Sequence, residues 1–373
     1  MTRRSEHALD VTVSAAAFAE AAALTARLLT IRSPQPVHAA VLLRADGTGL
    51  HLSATDGALT VRLRVAATVH QPGVAMVPRR GLAETLAGLD APEARLVAEG
   101  SRLAVRVPSA RFALPVLADP WPPVPDLPPR AGEVAGPGLR AAATAVAGAA
   151  SREHALPVFT GVRVRSADGH LSLLATDRYR LAAASLPWLP PAADVEALVP
   201  ATVLGKVATA LGRADSVGVH AGPDLFGLSW PGGSVVTATL GGGYPDAQFD
   251  RLLAVDPECV VELESGALAA AVDRAARYAG THGRVTLQVV DGAVLVGASD
   301  PLSGESEETV KATVHQGRAT RSYLARLLLD ALRAFPHEPV HLRIQPATRA
   351  TELTAPTSAL RYLVVPLRPA ETG

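Results

Sequence analysis

The chain has 373 residues, of which 48% are apolar, and its lysines plus arginines equal its aspartates plus glutamates at 35 each. That balance excludes a surface that is basic or acidic throughout, so any polyanion-binding face must be local. A single cysteine, Cys259, excludes an intrachain disulfide framework, fits a reducing cytosol and is expected to be a buried structural thiol.

The N-terminal MTRRSEHALDVTVS carries basic residues with no apolar core behind them, and the alanine-rich run after it is broken by Glu20. Neither a signal peptide nor a membrane span is expected. Apolar spacing predicts a helix from Ser14 to about Ile31. An Asp46-Gly47 turn signal then precedes Leu50, Leu52 and Ala54, which alternate with polar residues as a half-buried strand does. VPRRGLAETLAGL, from Val77, reads as a second amphipathic helix, and RLAVRV (102–107) as a strand. The Pro-rich DPWPPVPDLPP, Asp119 to Pro129, closes this first unit.

The order then repeats. A helix is predicted from Gly138 to about Ser151, a turn at Asp168-Gly169, a strand through Leu171, Leu173 and Ala175, and a helix within VPATVLGKVATAL from Val199. SVVTATL (234–240) is another strand, and a weaker join follows GGGYPDAQFDRLL, around Ala254 to Glu258. A third pass gives a helix from Glu264 to about Gly280, a turn at Asp291-Gly292, a strand through Val294, Val296 and Ala298, a helix in ATRSYLARLLLDAL and the strand ALRYLVVPL (359–367). The Asp-Gly pairs lie 122 and 123 residues apart, the length of one domain rather than of a solenoid repeat. The expected architecture is α+β: three repeated domains, 1–125, 126–255 and 256–373, each with two helices on antiparallel sheets.

No catalytic constellation accompanies this plan. There is no CxxC or HExxH, the 11 histidines lack ligand spacing, and Gly241-Gly242-Gly243 lacks the Gly-Lys-Ser/Thr of a phosphate loop. Thr55-Asp56 and Thr176-Asp177 recur at matched places and read as turn residues that cap backbone amides. No cofactor, no metal and no enzymatic activity are expected.

The charge is sorted by element. The six helices, taken as 14–32, 79–89, 138–152, 201–213, 264–280 and 321–335, hold 13 basic residues against five acidic ones. These are ordinary solvated helix faces or, if the helices share one surface, a stripe that meets nucleic-acid phosphates without reading sequence.

Three repeats, the phrase ATDRYRLA (compare ATDRFRLA in actinobacterial clamps), GYPDAQFDRLL and the terminal YLVVPLRP together resemble the bacterial DNA polymerase III beta subunit, the sliding clamp, over essentially the whole chain. The resemblance implies the DNA clamp fold, a ring of six domains closed by a head-to-tail homodimer, and a cytoplasmic, nucleoid-associated processivity factor with no catalytic role. Its implied partners are double-stranded DNA without sequence preference, the DNA polymerase III alpha subunit, the clamp loader and other proteins with a clamp-binding motif.

The resemblance carries DNA contact onto Arg32, Arg80 and Arg152, with Arg27 and Lys206 beside them. A partner-peptide pocket maps onto Thr176, Arg178, Tyr179, Arg180, Leu181, Pro245, Arg251, Leu252, Leu363, Val365, Pro366, Leu367 and Arg368, an apolar floor under an arginine rim. The ring junction maps onto Thr85, Leu89, Arg277 and Tyr278. The chain departs from the family in about two extra residues within Tyr244 to Arg251, in Ala319-Thr320-Arg321 where the family has Phe-Asn-Pro, and in a tail from Ala370 to Gly373. Arg277 and Tyr278 stand where apolar residues are common, and Thr85 at a junction partner position. Two alternatives follow from these departures: a divergent second clamp copy that tolerates an inhibitor, or a clamp-fold protein-binding module that does not encircle DNA.

Overall fold

A computed structural model describes residues 9–29, 35–153, 155–189, 193–336 and 338–368, apart from the side chains of Asp246 and Ala247. Seven α-helices lie among them: α1 (Ala15–Leu28), α2 (Arg79–Ala87), α3 (Gly136–Ala149), α4 (Ala201–Ala210), α5 (Asp246–Leu253), α6 (Ser265–Ala275) and α7 (Ala325–Arg333). The alternating apolar runs all become strands, and the strand pairings whose register is described are antiparallel. The three Asp-Gly signals sit where they were expected, at the tips of the hairpins Ala40–Asp46/Gly49–Thr55, Gly161–Ala167/His170–Thr176 and Arg284–Val290/Ala293–Asp300. At the second tip Asp168 (φ 49°) and Gly169 (φ 73°) are both left-handed, the turn that matches the twist of its strands.

The three repeats condense into two compact units, the first made of Met1–Arg140, Trp188–Val199 and Val203–Thr239, the second of Ala141–Pro187, Pro200–Thr202 and Leu240–Gly373. Strand pairing across repeats is the reason. In the first unit, Leu59–Val65 of the first repeat pairs with Gly233–Ala238 of the second, Val61 opposite Val235, so that one sheet of eight strands serves both. In the second unit, Arg180–Pro187 pairs with Leu360–Val364, Leu181 opposite Leu363, and joins the second repeat to the third in the same way. Each unit also holds a smaller sheet. In the first unit its order is Ala67–Gln71, Asp10–Ser14, Glu93–Glu99, Arg102–Val107, Ala110–Pro115; in the second it is Gly304–Lys311, Ala293–Asp300, Arg284–Val290, Thr320–Leu324.

Helix pairs cover these sheets. α1 buries Phe18, Ala21, Ala22, Thr25 and Leu28, a stripe three and four residues apart, and packs on α2, which buries Leu82 and Leu86. α6 packs on α7, whose Leu328, Ala331 and Leu332 point inward. The Ser14 hydroxyl accepts the Ala17 amide at 3.4 Å and caps α1. Cys259 is fully buried, and burial pushes its thiol pKa up.

Two elements differ from the sequence reading. α7 begins at Ala325, because Thr320–Leu324 first forms a strand on Arg284–Val290. Tyr323, fully buried with its hydroxyl 2.6 Å from Thr351 Oγ1, holds that segment extended, and burial raises its pKa to about 12. α5 forms within GYPDAQFDRLL, where no helix was expected, and ends just before the expected join at Ala254 to Glu258. Phe249 and Leu253, four residues apart, give it an apolar side.

Candidate functional site

The basic candidates fall on exposed positions. Arg27, in the last turn of α1, and Arg152, just after α3, are exposed and have no ion-pair partner among the described residues. Arg80, in the first turn of α2, holds Glu84 Oε1 at 2.6 Å, with both side chains more than 60% exposed. An exposed pair of this kind contributes little and exchanges readily for a phosphate. Lys206 on α4 reaches the Leu28 carbonyl at 3.5 Å, which brings it to the C-terminal end of α1, beside Arg27. Arg32 lies outside the described residues.

The helices hold less positive charge than expected. Their observed ends leave Arg152, Arg213, Arg277 and Arg321 outside α3, α4, α6 and α7. Arg79 is only 4% exposed, and burial lowers its pKa. Arg274 and Arg333 pair with Glu308 and Asp273. The exposed cations on or just beyond these helices that pair with no acidic side chain among the described residues are Arg27, Arg152, Lys206, Arg213, Arg277 and Arg326, with Arg80 in its exposed pair; of these, Arg27, Arg80, Arg152 and Lys206 are the sequence candidates.

The peptide-pocket candidates are organised by ATDRYRLA. The Thr176 hydroxyl donates to the Arg180 carbonyl at 2.6 Å and accepts the Arg178 amide at 3.0 Å. Asp177 Oδ1 accepts the amides of Tyr179 and Arg180, both at 3.0 Å. The first repeat builds the same turn from Thr55 and Asp56, which accept the amides of Gly57, Ala58 and Leu59. One position differs in kind. Gly57 (φ 90°) and Arg178 (φ 79°) are both left-handed, so the second repeat holds an arginine in a conformation for which its sister uses glycine. Such strain persists where a side chain is wanted at that point. Arg178→Gly is therefore expected to leave stability unchanged or raise it by up to about 1 kcal/mol, since relief of strain is partly offset by glycine's freedom in the unfolded chain. Calorimetry checks this; a loss of that size or more would mean that Arg178, through its 3.5 Å contact with Glu153, holds the turn.

Arg180, expected on the rim, is 6% exposed and acts as an internal strut. Its guanidinium meets Asp177 Oδ2 at 2.9 Å, Asp330 Oδ2 at 2.6 Å and the Tyr362 hydroxyl at 3.4 Å. Burial works against its charge, but these oxygens outweigh burial and raise its pKa.

Leu181 and Leu363 meet with Leu174 and Phe249 in a buried cluster, against which Phe159, Tyr244, Leu253 and Val255 pack. Tyr244 and Phe249 stack with ring centroids 5.0 Å apart. Phe249 was missed in the sequence; its spacing from Leu253 was the available signal. Leu252 instead turns outward at 49% exposure, beside exposed Arg251, while Pro245 is half-buried. Arg361 Nη2 donates to the Leu253 carbonyl at 2.7 Å and ties the end of α5 to the last strand. Beyond that strand the Val365 amide donates to the Tyr179 carbonyl at 2.9 Å, and the Leu367 amide to the Ser322 carbonyl at 2.7 Å. Tyr179 and Val365 are exposed neighbours there, followed by buried Pro366, half-buried Leu367 and exposed Arg368.

The junction candidates border the outer strands of the two small sheets. Gly81, one turn before Thr85 on α2, lies against the Leu114 side chain of the edge strand Ala110–Pro115. Leu89 is half-buried just past α2. Tyr278, 38% exposed beside exposed Arg277, lies near Gly304, where the edge strand Gly304–Lys311 begins. Both edges carry exposed apolar groups that sequence reading missed: Phe112 on the first and, in the turn before the second, Leu302 at 98% exposure.

Consecutive segments of the chain match all three domains of one family, the DNA polymerase III beta subunit: residues 9–125 the N-terminal domain, 133–246 the central domain and 250–368 the C-terminal domain. The chain belongs to the DNA polymerase III beta subunit family. Among its relatives, the beta sliding clamp of Streptomyces coelicolor is 31% identical over 96% of this chain and 99% of that protein. The beta sliding clamp homolog GriR of Streptomyces muensis is 28% identical over 94% and 96%. The solved sliding clamp of Bacillus subtilis superposes with a TM-score of 0.87 at 19% identity, covering 97% of this chain and all of that one. The Pseudomonas aeruginosa clamp bound to griselimycin gives 0.87 at 24% identity over the same shares. The beta-subunit fold is thus present end to end, with three domains of helices on antiparallel sheets.

Proposed function

We propose that this chain is a DNA sliding clamp: two copies join head to tail into a ring of six domains that encircles duplex DNA and tethers a polymerase. The three domains are divided near residues 125 and 255, and the chain is a non-catalytic subunit. The observation that carries this reading is the pair of open edges. Within the chain, repeats join by pairing strand edges, and of the two end strands of each small sheet, Ala110–Pro115 in the first unit and Gly304–Lys311 in the second are the ones beside the junction candidates and are left for another copy. Unpaired edges are a liability unless covered. The first is basic, with Arg111 on the edge strand and Arg102 and Arg106 on its neighbour against a single Glu99 that pairs with Arg106 and Arg111; the second is acidic, with Glu305 and Glu307 exposed beside Glu308, which pairs with Arg274. Opposite charge favours pairing of the first with the second and disfavours either with itself. Thr85, Leu89, Arg277 and Tyr278 flank that junction, and Phe112 and Leu302 give it apolar contact.

Arg27, Arg32, Arg80, Arg152 and Lys206 are the DNA contacts. The deciding experiment is whether the purified protein, with a clamp loader, raises polymerase processivity on primed circular DNA; no effect would favour a protein-binding module.

The partner site is the surface over the Leu181–Leu363 cluster, with Thr176, Arg178, Tyr179, Pro245, Arg251, Leu252, Val365, Pro366, Leu367 and Arg368 around it and Arg180 bracing it from within. It takes a short peptide with one or two apolar anchors, such as a polymerase alpha subunit or a clamp loader presents. Leu367→Asp removes an apolar wall and is expected to cost about 2 kcal/mol, or roughly 30-fold in peptide affinity. Titration of a fluorescent clamp-binding peptide reads this, and equal affinities would place the site elsewhere. A second reading, a divergent clamp copy with an altered pocket, is favoured by Tyr244 and Phe249 lying against Leu181 and Leu363. Griselimycin binding as tight as that of other clamps would remove it.

Among the described residues no helix is long and apolar enough to cross a membrane.

A further inference from the structure

We propose that Glu262, His315 and His341 form a binding site for a divalent transition-metal ion, zinc above all, which pins an edge strand of the second unit to its sheet. The three residues come from adjacent strands. Glu262 lies on Cys259–Glu264, with His341 of Pro339–Ile344 directly opposite it on one side and Thr313 of Thr313–Gln316 on the other. The pairing with Thr313–Gln316 is irregular: Val261 faces Val314 and Val260 faces Gln316, which leaves His315 as an extra residue in a bulge. A bulge re-aims a side chain. Here it brings His315 onto Glu262 and alongside His341.

The resulting geometry is that of a ligand set. Glu262 Oε2 lies 2.9 Å from His315 Nε2 and 3.3 Å from His341 Nε2. One ligand atom from each residue falls within 4.8 Å of the others, and the two imidazoles meet edge to face with centroids 5.8 Å apart. Tetrahedral zinc, with bonds of about 2.0 to 2.1 Å, separates its ligand atoms by about 3.3 Å. Two of the three edges are already within a few tenths of an ångström of that value. The two imidazoles flank one oxygen of the Glu262 carboxylate. Imidazole with carboxylate suits zinc, copper or nickel, whereas magnesium and calcium take oxygen donors. The three side chains are each one-third to one-half exposed, so an ion reaches them directly and keeps water in its remaining position.

Without metal, the four-residue strand Thr313–Gln316 is a sheet edge held by one irregular ladder. A metal bond through His315 fastens it to the two strands behind it. The site lies apart from the peptide-pocket and junction candidates in sequence and does not depend on the clamp reading.

The test uses the untagged full-length protein, zinc competed against a chromophoric chelator, and magnesium as a control. One zinc per chain is expected at micromolar affinity or tighter, with no response to magnesium. His315→Ala and His341→Ala should each weaken binding at least about tenfold. Cobalt in place of zinc should give the intense visible bands of a low-coordinate site in the wild type and lose them in both variants. Amide exchange across residues 313–316 should slow when zinc is added. The substituted side chains are partly exposed, so unchanged thermal unfolding in chelator serves as the folding check. Zinc bound equally by wild type and the His315→Ala/His341→Ala double variant, or the absence of stoichiometric binding, overturns the proposal.

Discussion

Reversing Glu305 and Glu307 to arginine is expected to open the ring. Both side chains are exposed on the acidic edge strand, and in the proposed dimer they face the strand pair that carries Arg102, Arg106 and Arg111 of the other copy. Placing cations against cations costs several kcal/mol, so the dimer dissociation constant should rise on the order of a thousandfold. Loaded protein should then slip from circular DNA as fast as from linear DNA, because retention depends on closure. The compensating change, Arg102→Glu with Arg111→Glu in the same chain, restores opposite signs at both junctions and should recover the dimer. Light scattering across a dilution series measures both variants. A Glu305→Arg/Glu307→Arg protein that stays dimeric at nanomolar concentration would show that copies join through another surface.

The second large effect belongs to the exposed cations. Changing Arg27, Arg80, Arg152 and Lys206 together to glutamate should weaken DNA association on every sequence alike, by on the order of a thousandfold near 0.1 M salt. The slope of log affinity against log salt should flatten by about 0.9 for each phosphate that is no longer neutralised. Arg80 contributes despite its partner: once it turns to a phosphate, Glu84 is left in water at little cost. The dimer mass should not change, since none of the four lies on an edge strand. An unaltered salt slope would place the DNA on a different face.

The fold was largely legible in the sequence because its signals are local. Period-2 alternation behind each Asp-Gly turn specifies a hairpin whatever surrounds it, and so the strands at Leu50, Leu171 and Val294 lie where their patterns put them. What depends on distant partners was not legible. The pairing of Val61 with Val235 and of Leu181 with Leu363 decides that three repeats make two compact units, and no spacing in the sequence encodes it. Charge has the same limit. Arg79 and Arg80 are adjacent and chemically alike, yet one is buried and the other exposed. Arg180 reads as a rim cation until Asp330, 150 residues away, and Tyr362 are seen to enclose it. In the metal-site candidate the histidines are 26 positions apart with no ligand motif, and a bulge brings them together.

The buried thiol has a practical consequence. With its only sulfhydryl sealed inside the third repeat and its ionisation disfavoured there, the protein is in effect a cysteine-free background. A cysteine introduced at Phe112 or Leu302 would be the one group open to a maleimide dye or a cross-linker. Fluorescent reporters of opening, or a covalent lock across the junction, can therefore be installed without first replacing Cys259 and disturbing the core around it.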